Sequence, residues 1–111
     1  VIDTLRQLDT NEGLPEQCGL ITSKGQLLFC TNIHENPLGG YRMDPEQALA
    51  ALQGHEIFAT FHTHPGADCN LSQEDYAGFT LWPDLIHFIV GTDGVKRYWF
   101  DDGILMQEVC K

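Results

Sequence analysis

His62-Thr63-His64-Pro65 is followed by Ser72 and Asp75, which gives the pattern H-x-H-x7-S-x2-D. The histidines close an apolar run, Ile57-Phe58-Ala59-Thr60-Phe61. Two imidazoles and one carboxylate are a common ligand set for catalytic zinc, with the fourth position left to water. Nitrogen and oxygen donors around a closed-shell ion make zinc the expected cofactor. Residues two apart in a strand share a face. His62 and His64 should therefore project together with Thr60 and Phe58, while Ile57, Ala59 and Phe61 face the core and Thr63 points away from the ligands.

Asp75 falls in the first turn of the helix that Ser72 opens. The loop Pro65–Leu71 is long enough to fold that turn back over the strand end, which would make Asp75 the third ligand. The same residues have a plainer reading. Ser-x-x-Asp at a helix start is a capping box, and paired histidines can be ordinary polar-face residues. The combination of His-x-His, Pro65 and Ser-x-x-Asp on three ordered elements favours the metal. Ser72 can do both jobs, since a capping oxygen can also face a metal-bound water.

The elements that must position these residues are legible from punctuation. Ile2, Leu5 and Leu8 fit a short amphipathic helix ended by Asn11-Glu12-Gly13 and Pro15. Cys18–Thr22 and Gln26–Thr31 read as a hairpin around Ser23-Lys24-Gly25. Asn36–Gly40 is a loop, and Tyr41–Met43 a short extended piece. Asp44 caps a helix with Pro45 at its first position, Gln47 placed for a capping box and Gly54 as its stop. A strand over Ile57–His64 and a helix from Ser72 through Phe79 follow, with Pro83 closing the helix. Strands Ile86–Val90, Val95–Phe100 and Ile104–Val109 are separated by Thr92-Asp93-Gly94 and Asp102-Gly103. This order predicts an α+β domain on a mostly antiparallel sheet.

With 111 residues, 42% of them apolar, the chain should form one domain over 1–111 with a real core. Sixteen acids against six bases give a net charge of −10. That charge argues against nucleic acid as a partner, and the absence of a polybasic patch argues against anionic lipid. No apolar run is long enough for a membrane span, and no signal peptide is recognisable. Cys18, Cys30, Cys69 and Cys110 include no C-x2-C pair, so no zinc knuckle is signalled. Cys18, Cys30 and Cys110 read as buried thiols, and Cys69 as a loop cysteine without a role. A reducing, cytoplasmic setting is expected. Opening on Val1 instead of Met, the chain suggests that an N-terminal piece precedes it. His34, His55 and His87 lack partners at ligand spacing and read as surface or half-buried histidines. Trp82 and Trp99 read as core or rim packing more readily than as a substrate groove.

H-x-H-x7-S-x2-D resembles the signature of the JAMM metallopeptidases, also called MPN+ or JAB domains, and the likeness spans nearly the whole chain. It implies a curved mixed sheet flanked by helices, of cytidine deaminase-like type, with the motif on one strand and the following helix. It also implies zinc on His62, His64 and Asp75, with Ser72 stabilising a tetrahedral intermediate. The family places a general base in an E-x-x-G-[LIF] segment, and Glu16-Gln17-Cys18-Gly19-Leu20 matches it, so the resemblance makes Glu16 the base. Glu56 and Glu74 fit less well: Glu56 precedes the ligand strand, and Glu74 should turn away from the face of Asp75.

The implied reaction is zinc-assisted hydrolysis of an amide in a protein or peptide. The chain lacks room for the insertion of ubiquitin-chain-cleaving members after Asp75. It is most similar to compact prokaryotic or phage tail-assembly members, which would place a phage-encoded copy in a virion tail. Ubiquitin-like or sulfur-carrier proteins and cell-wall peptides are the substrates to consider. The alternative is an assembly or interaction module that keeps the metal but is catalytically silent. The sequence carries no signal for oligomeric state.

Overall fold

A computed structural model describes every residue from Val1 to Lys111. In chain order the elements are α1 (Ile2–Arg6), β1 (Cys18–Thr22), β2 (Leu27–Cys30), α2 (Pro45–Gly54) and β3 (Ile57–Thr63). They continue with α3 (Gln73–Thr80), β4 (Ile86–Gly91), β5 (Gly94–Asp101) and β6 (Ile104–Cys110). The strands form one six-stranded sheet in the order β2-β1-β3-β4-β5-β6. Only β3 and β4 run parallel. They need a crossover, and α3 supplies it, because parallel neighbours cannot be joined by a tight turn. The molecule is an α+β domain with a mixed sheet flanked by helices. No helix is long and apolar enough to cross a membrane.

The two sheet faces carry separate apolar clusters. Leu5 of α1 joins Ile21, Ala59, Phe61, Phe88, Val90 and Val95 on one face. Phe79 of α3 joins Cys69, Ile89 and Tyr98 on the other. His62 is buried on the α3 side, its ring 6.2 Å from that of Phe79. The ligand strand is thus held from both faces.

Several expectations need correction. α1 stops at Arg6, well before Asn11, and Leu8 packs from the turn beyond it. Asp9 accepts the Asn11 amide at 3.0 Å, a local side-chain bond that competes with further helix. Asp44 caps α2 through the Glu46 amide, but Gln47 completes no capping box; its amide group bonds Thr31 twice, at 2.6 and 3.0 Å, and ties α2 to the end of β2. Phe58 does not share the face of Thr60 and His62. The β1–β3 register shifts between Ile21 and Thr22, so that Thr22 opposes Ile57. Phe58 then packs edge-on to Phe88 in the opposite cluster, as a bulge that breaks the alternation allows. Cys69 lies in the loop as expected, but its thiol is buried at 4% exposure and packs with Phe79 and Tyr98. Cys110 is only half-buried. His87 is fully buried between Thr60 Oγ1, at 2.7 Å, and the Trp82 carbonyl, which its Nε2–H meets at 3.0 Å.

The turns behave as their residues dictate. Asp102 and Gly103 both take positive φ, 51° and 78°, as a two-residue hairpin turn of this hand requires. Gly19 is needed for a different reason. A Cβ there would collide with the Leu28 carbonyl and come within 2.7 Å of the Phe61 ring. Replacing glycine by alanine stiffens the unfolded chain, a gain of about 0.4–1 kcal/mol, while overpacking a filled site costs about 1–3 kcal/mol. Gly19→Ala should therefore lose about 1–2 kcal/mol of stability, read as a lower urea midpoint. An unchanged midpoint would mean that β1 can shift away from β2 at no cost.

Candidate metal centre

His62 lies opposite Cys18 of β1, and Thr63 lies beside Val90 of β4. His64 follows the strand and still donates its amide to the Val90 carbonyl at 2.8 Å. The two imidazoles meet at their Nε2 atoms, 3.1 Å apart. Asp75 reaches both, with Oδ1 3.1 Å from His62 Nε2 and Oδ2 3.0 Å from His64 Nε2. The capping box at α3 is also complete: Ser72 Oγ accepts the Asp75 amide, and Asp75 Oδ2 accepts the Ser72 amide, each at 3.0 Å. The cap does not compete with the imidazole contacts. It aims the carboxylate at them.

Glu16 arrives from the segment before β1. One of its carboxylate oxygens, His62 and His64 offer donor atoms that all lie within 4.8 Å of one another. Its backbone is clamped on both sides. Its amide donates to the Pro37 carbonyl at 2.8 Å, and its carbonyl accepts Asn32 Nδ2 at 2.9 Å. Next to it, Gln17 and Thr63 bond reciprocally: the Gln17 amide donates to Thr63 Oγ1 at 2.8 Å and the Thr63 amide to the Gln17 carbonyl at 2.9 Å. The structure therefore brings together all five residues singled out by the sequence: Glu16, His62, His64, Ser72 and Asp75.

The donor chemistry fits a cation. His64 Nδ1 faces the Asp68 carbonyl at 2.8 Å, and a carbonyl can only accept, so Nδ1 carries a hydrogen. In the neutral ring, Nε2 is then a bare lone pair. It faces the carboxylate of Asp75 and the Nε2 of His62. Only a positive charge among them, a proton or a metal ion, makes that arrangement favourable. Spacing agrees too. Tetrahedral zinc ligands at 2.0–2.1 Å lie about 3.3 Å apart; the two Nε2 atoms here are 3.1 Å apart, and each has one oxygen of the Asp75 carboxylate at 3.0–3.1 Å. Two further polar atoms, Glu16 Oε1 and His62 Nδ1, are buried without a hydrogen-bond partner.

The site is electrostatically tense. Burial disfavours charge on Asp75, but hydrogen bonds to His62 and His64 outweigh it and hold the carboxyl well below its ordinary range. Burial also opposes charge on His64, yet Asp75 and the Asp68 carbonyl raise it, whereas His62, wholly buried, is lowered. Burial, followed by the charges of Asp75 and Glu74, pushes Glu16 up to about 7 against the pull of His64. A carboxyl in that range suits proton transfer at neutral pH.

Around these groups opens a cleft of about 400 Å³, with Leu38, Gly39 and Gly40 on one wall and Pro65, Asp68 and Leu71 on the other. Its second wall is stapled down. Tyr98, fully buried, accepts the Leu71 amide at 3.1 Å and donates to the Cys69 carbonyl at 2.9 Å. Asp93 accepts the Cys69 amide and the Thr92 amide donates to the Ala67 carbonyl. Glu74 is not turned away as expected. It lines the cleft and meets His34 Nε2 at 2.6 Å, while His34 Nδ1 accepts the Asn36 amide. Neither Trp82 nor Trp99 lines it. Asn32, Tyr41, Thr63 and Tyr98 hold the site, and no spacing in the sequence marks them. The one available signal was a lone asparagine immediately beyond a strand.

No protein-family model matches this chain, and no curated protein matches it.

Glu16 and His87 give a test by titration. Glu16 is raised from 4.5 to about 7, so the folded state holds the extra proton between those values. Its contribution to stability is full below 4.5 and is lost as pH rises through about 7. His87, lowered by burial from 6.5 to about 4, does the reverse: the unfolded chain takes the proton first, and stability falls as pH drops from 6.5 toward 4. The two slopes oppose each other across mildly acidic pH. In excess chelator, Glu16→Gln should lose about 2 kcal/mol more than the unaltered protein between pH 7 and pH 5, measured by urea unfolding. Parallel curves for the two proteins would remove the argument for a raised Glu16.

Proposed function

We propose that this domain is a zinc-dependent metallopeptidase of JAMM type, which hydrolyses a peptide or isopeptide bond in a protein or peptide substrate. One observation carries the reading: the buried carboxyl of Glu16 stands beside the donor atoms of His62 and His64, and both imidazoles meet the carboxylate of Asp75. The same five residues match the H-x-H-x7-S-x2-D and E-x-x-G patterns. The six-stranded mixed sheet with flanking helices supports the coarser part of the likeness.

His62, His64 and Asp75 would hold the ion. Bound there, zinc would supply a Lewis acid for the scissile carbonyl and for the hydrolytic water. Glu16 takes the proton of the attacking water on a carboxylate oxygen and delivers it to the leaving nitrogen. Ser72 Oγ uses its lone pairs on the Asp75 amide, so its O–H is free to donate to the oxyanion that develops on the carbonyl. Leu38 and Leu71 flank the cleft and give a substrate chain apolar surface to lie on. Compact substrates such as ubiquitin-like or sulfur-carrier termini and cell-wall peptides are the ones to try first.

Metal analysis should find one zinc per chain, retained in Glu16→Gln and Ser72→Ala and lost in His62→Ala. Glu16→Gln should slow cleavage by about 100-fold or more. Ser72→Ala should slow it by a few hundredfold, for an oxyanion donor of about 2.7–4 kcal/mol, and should cost the fold about 1 kcal/mol through the lost cap. Full turnover in zinc-loaded Glu16→Gln would remove Glu16 as base. One equivalent of zinc with no cleavage of ubiquitin-like fusions or cell-wall peptides would favour a silent assembly module instead.

A further inference from the structure

Tyr41 takes no part in the chemistry above, yet it makes the closest ring contact in the site. Its ring lies over the His62 imidazole with centroids 4.1 Å apart and planes inclined by 23°. Phe79 tilts against the same imidazole at 6.2 Å and 56°.

The two histidines differ in what orients them. A metal-ligating imidazole is ordinarily fixed by a hydrogen bond from its second ring nitrogen. His64 has one, from Nδ1–H to the Asp68 carbonyl at 2.8 Å. His62 has none: its Nδ1 is buried and unpartnered. The final torsion of a histidine side chain is broad and roughly two-fold, so rotamer preference alone does not set the ring. Stacking does. A face-on neighbour resists rotation about that torsion, because turning the ring would drive its edge into the tyrosine.

Tyr41 can serve in this way because it is itself held. Asn32 grips both its neighbours, with Nδ2 donating to the Gly40 carbonyl and Oδ1 accepting the Arg42 amide, each at 3.0 Å. The Ile33 amide donates to the Arg42 carbonyl at 2.8 Å, and Met43 bridges to Asn32. The same Asn32 Nδ2 bonds the Glu16 carbonyl.

We propose that Tyr41 is the positioning residue for His62. It holds the Nε2 edge toward His64 and Asp75 in place of the hydrogen bond that Nδ1 lacks. The proposal rests on the metal reading given above. Zinc affinity, measured by competition with a chromophoric chelator, tests it without any assay of activity. Loss of such an orienting partner typically weakens metal binding by about 10–100-fold, and that is the loss expected for Tyr41→Leu. Tyr41→Phe keeps the ring and should bind zinc as the unaltered protein does. Phe88→Leu opens the cluster on the opposite face of the sheet; it should lower the unfolding midpoint and leave zinc affinity unchanged. Tyr41→Met, whose unbranched flexible chain adapts to the space without presenting a flat face, replaces Tyr41→Leu if the latter does not fold.

If the unaltered protein takes up no zinc, the metal reading falls and the role of Tyr41 falls with it. If it binds zinc and Tyr41→Leu binds equally well, the role of Tyr41 alone is overturned. Equal weakening in Tyr41→Leu and Phe88→Leu also overturns it, because general loosening of the fold would then explain the loss.

Discussion

The register of β1 against β3 is the constraint on which the rest depends. Cys18 stands opposite His62, so the segment that enters β1 runs past the exit of β3, and Glu16 arrives beside His64. The reciprocal bonds between Gln17 and Thr63 continue the pairing past the end of the strand. A slip of one residue would turn every side chain of β1 to the other face. It would carry Glu16 out of the cleft and exchange Leu20 and Ile21, both fully buried, between the two faces of the sheet. Gly19 protects the register by letting β1 lie flush on the Phe61 ring. A small residue with no chemistry of its own thus helps to place the carboxylate three positions earlier.

Burying four ionisable groups together is costly unless each finds a partner. The site meets this cost unevenly. Asp75 is richly bonded, to both imidazoles and the amide that begins α3. Glu16 and His62 each retain a buried atom without a partner. Neutral forms are favoured in both, as their shifted titration reflects. The result is a carboxyl and an imidazole both shifted toward their neutral forms next to a charged carboxylate. Such asymmetry separates the roles that chemically similar groups can play.

Much of this was legible in the sequence. Pro45, Gly54, Pro83, Thr92-Asp93-Gly94 and Asp102-Gly103 mark element ends whose local chemistry decides them, and the elements fall where those residues put them. His-x-His was legible for the same reason, since strand alternation is a local rule. Phe58 was misplaced because its facing depends on a bulge created by pairing with Thr22, a residue far off in the chain. Tyr41, Asn32, Thr63 and Tyr98 stayed hidden because each acts across the fold on a segment that no spacing connects to it. Glu74 was misjudged because the partner that turns it toward the cleft, His34, lies in a distant loop.

The stapled loop divides the molecule into regions of unequal freedom to change. Between Ala67 and Ser72 nearly every residue is tied to β4, β5 or α3, and Gly91 lets the loop pass directly over the sheet, where a Cβ would strike the backbone of Asp68 and Cys69. An inserted residue there would displace Ser72 and Asp75 together. The Asp102-Gly103 turn, at the far end of the β5–β6 hairpin from Tyr98, contributes no residue to the cleft, and chain added there would leave the site untouched. New surfaces for recognition can accumulate at that end of the sheet, while the other end admits substitution but not changes in length.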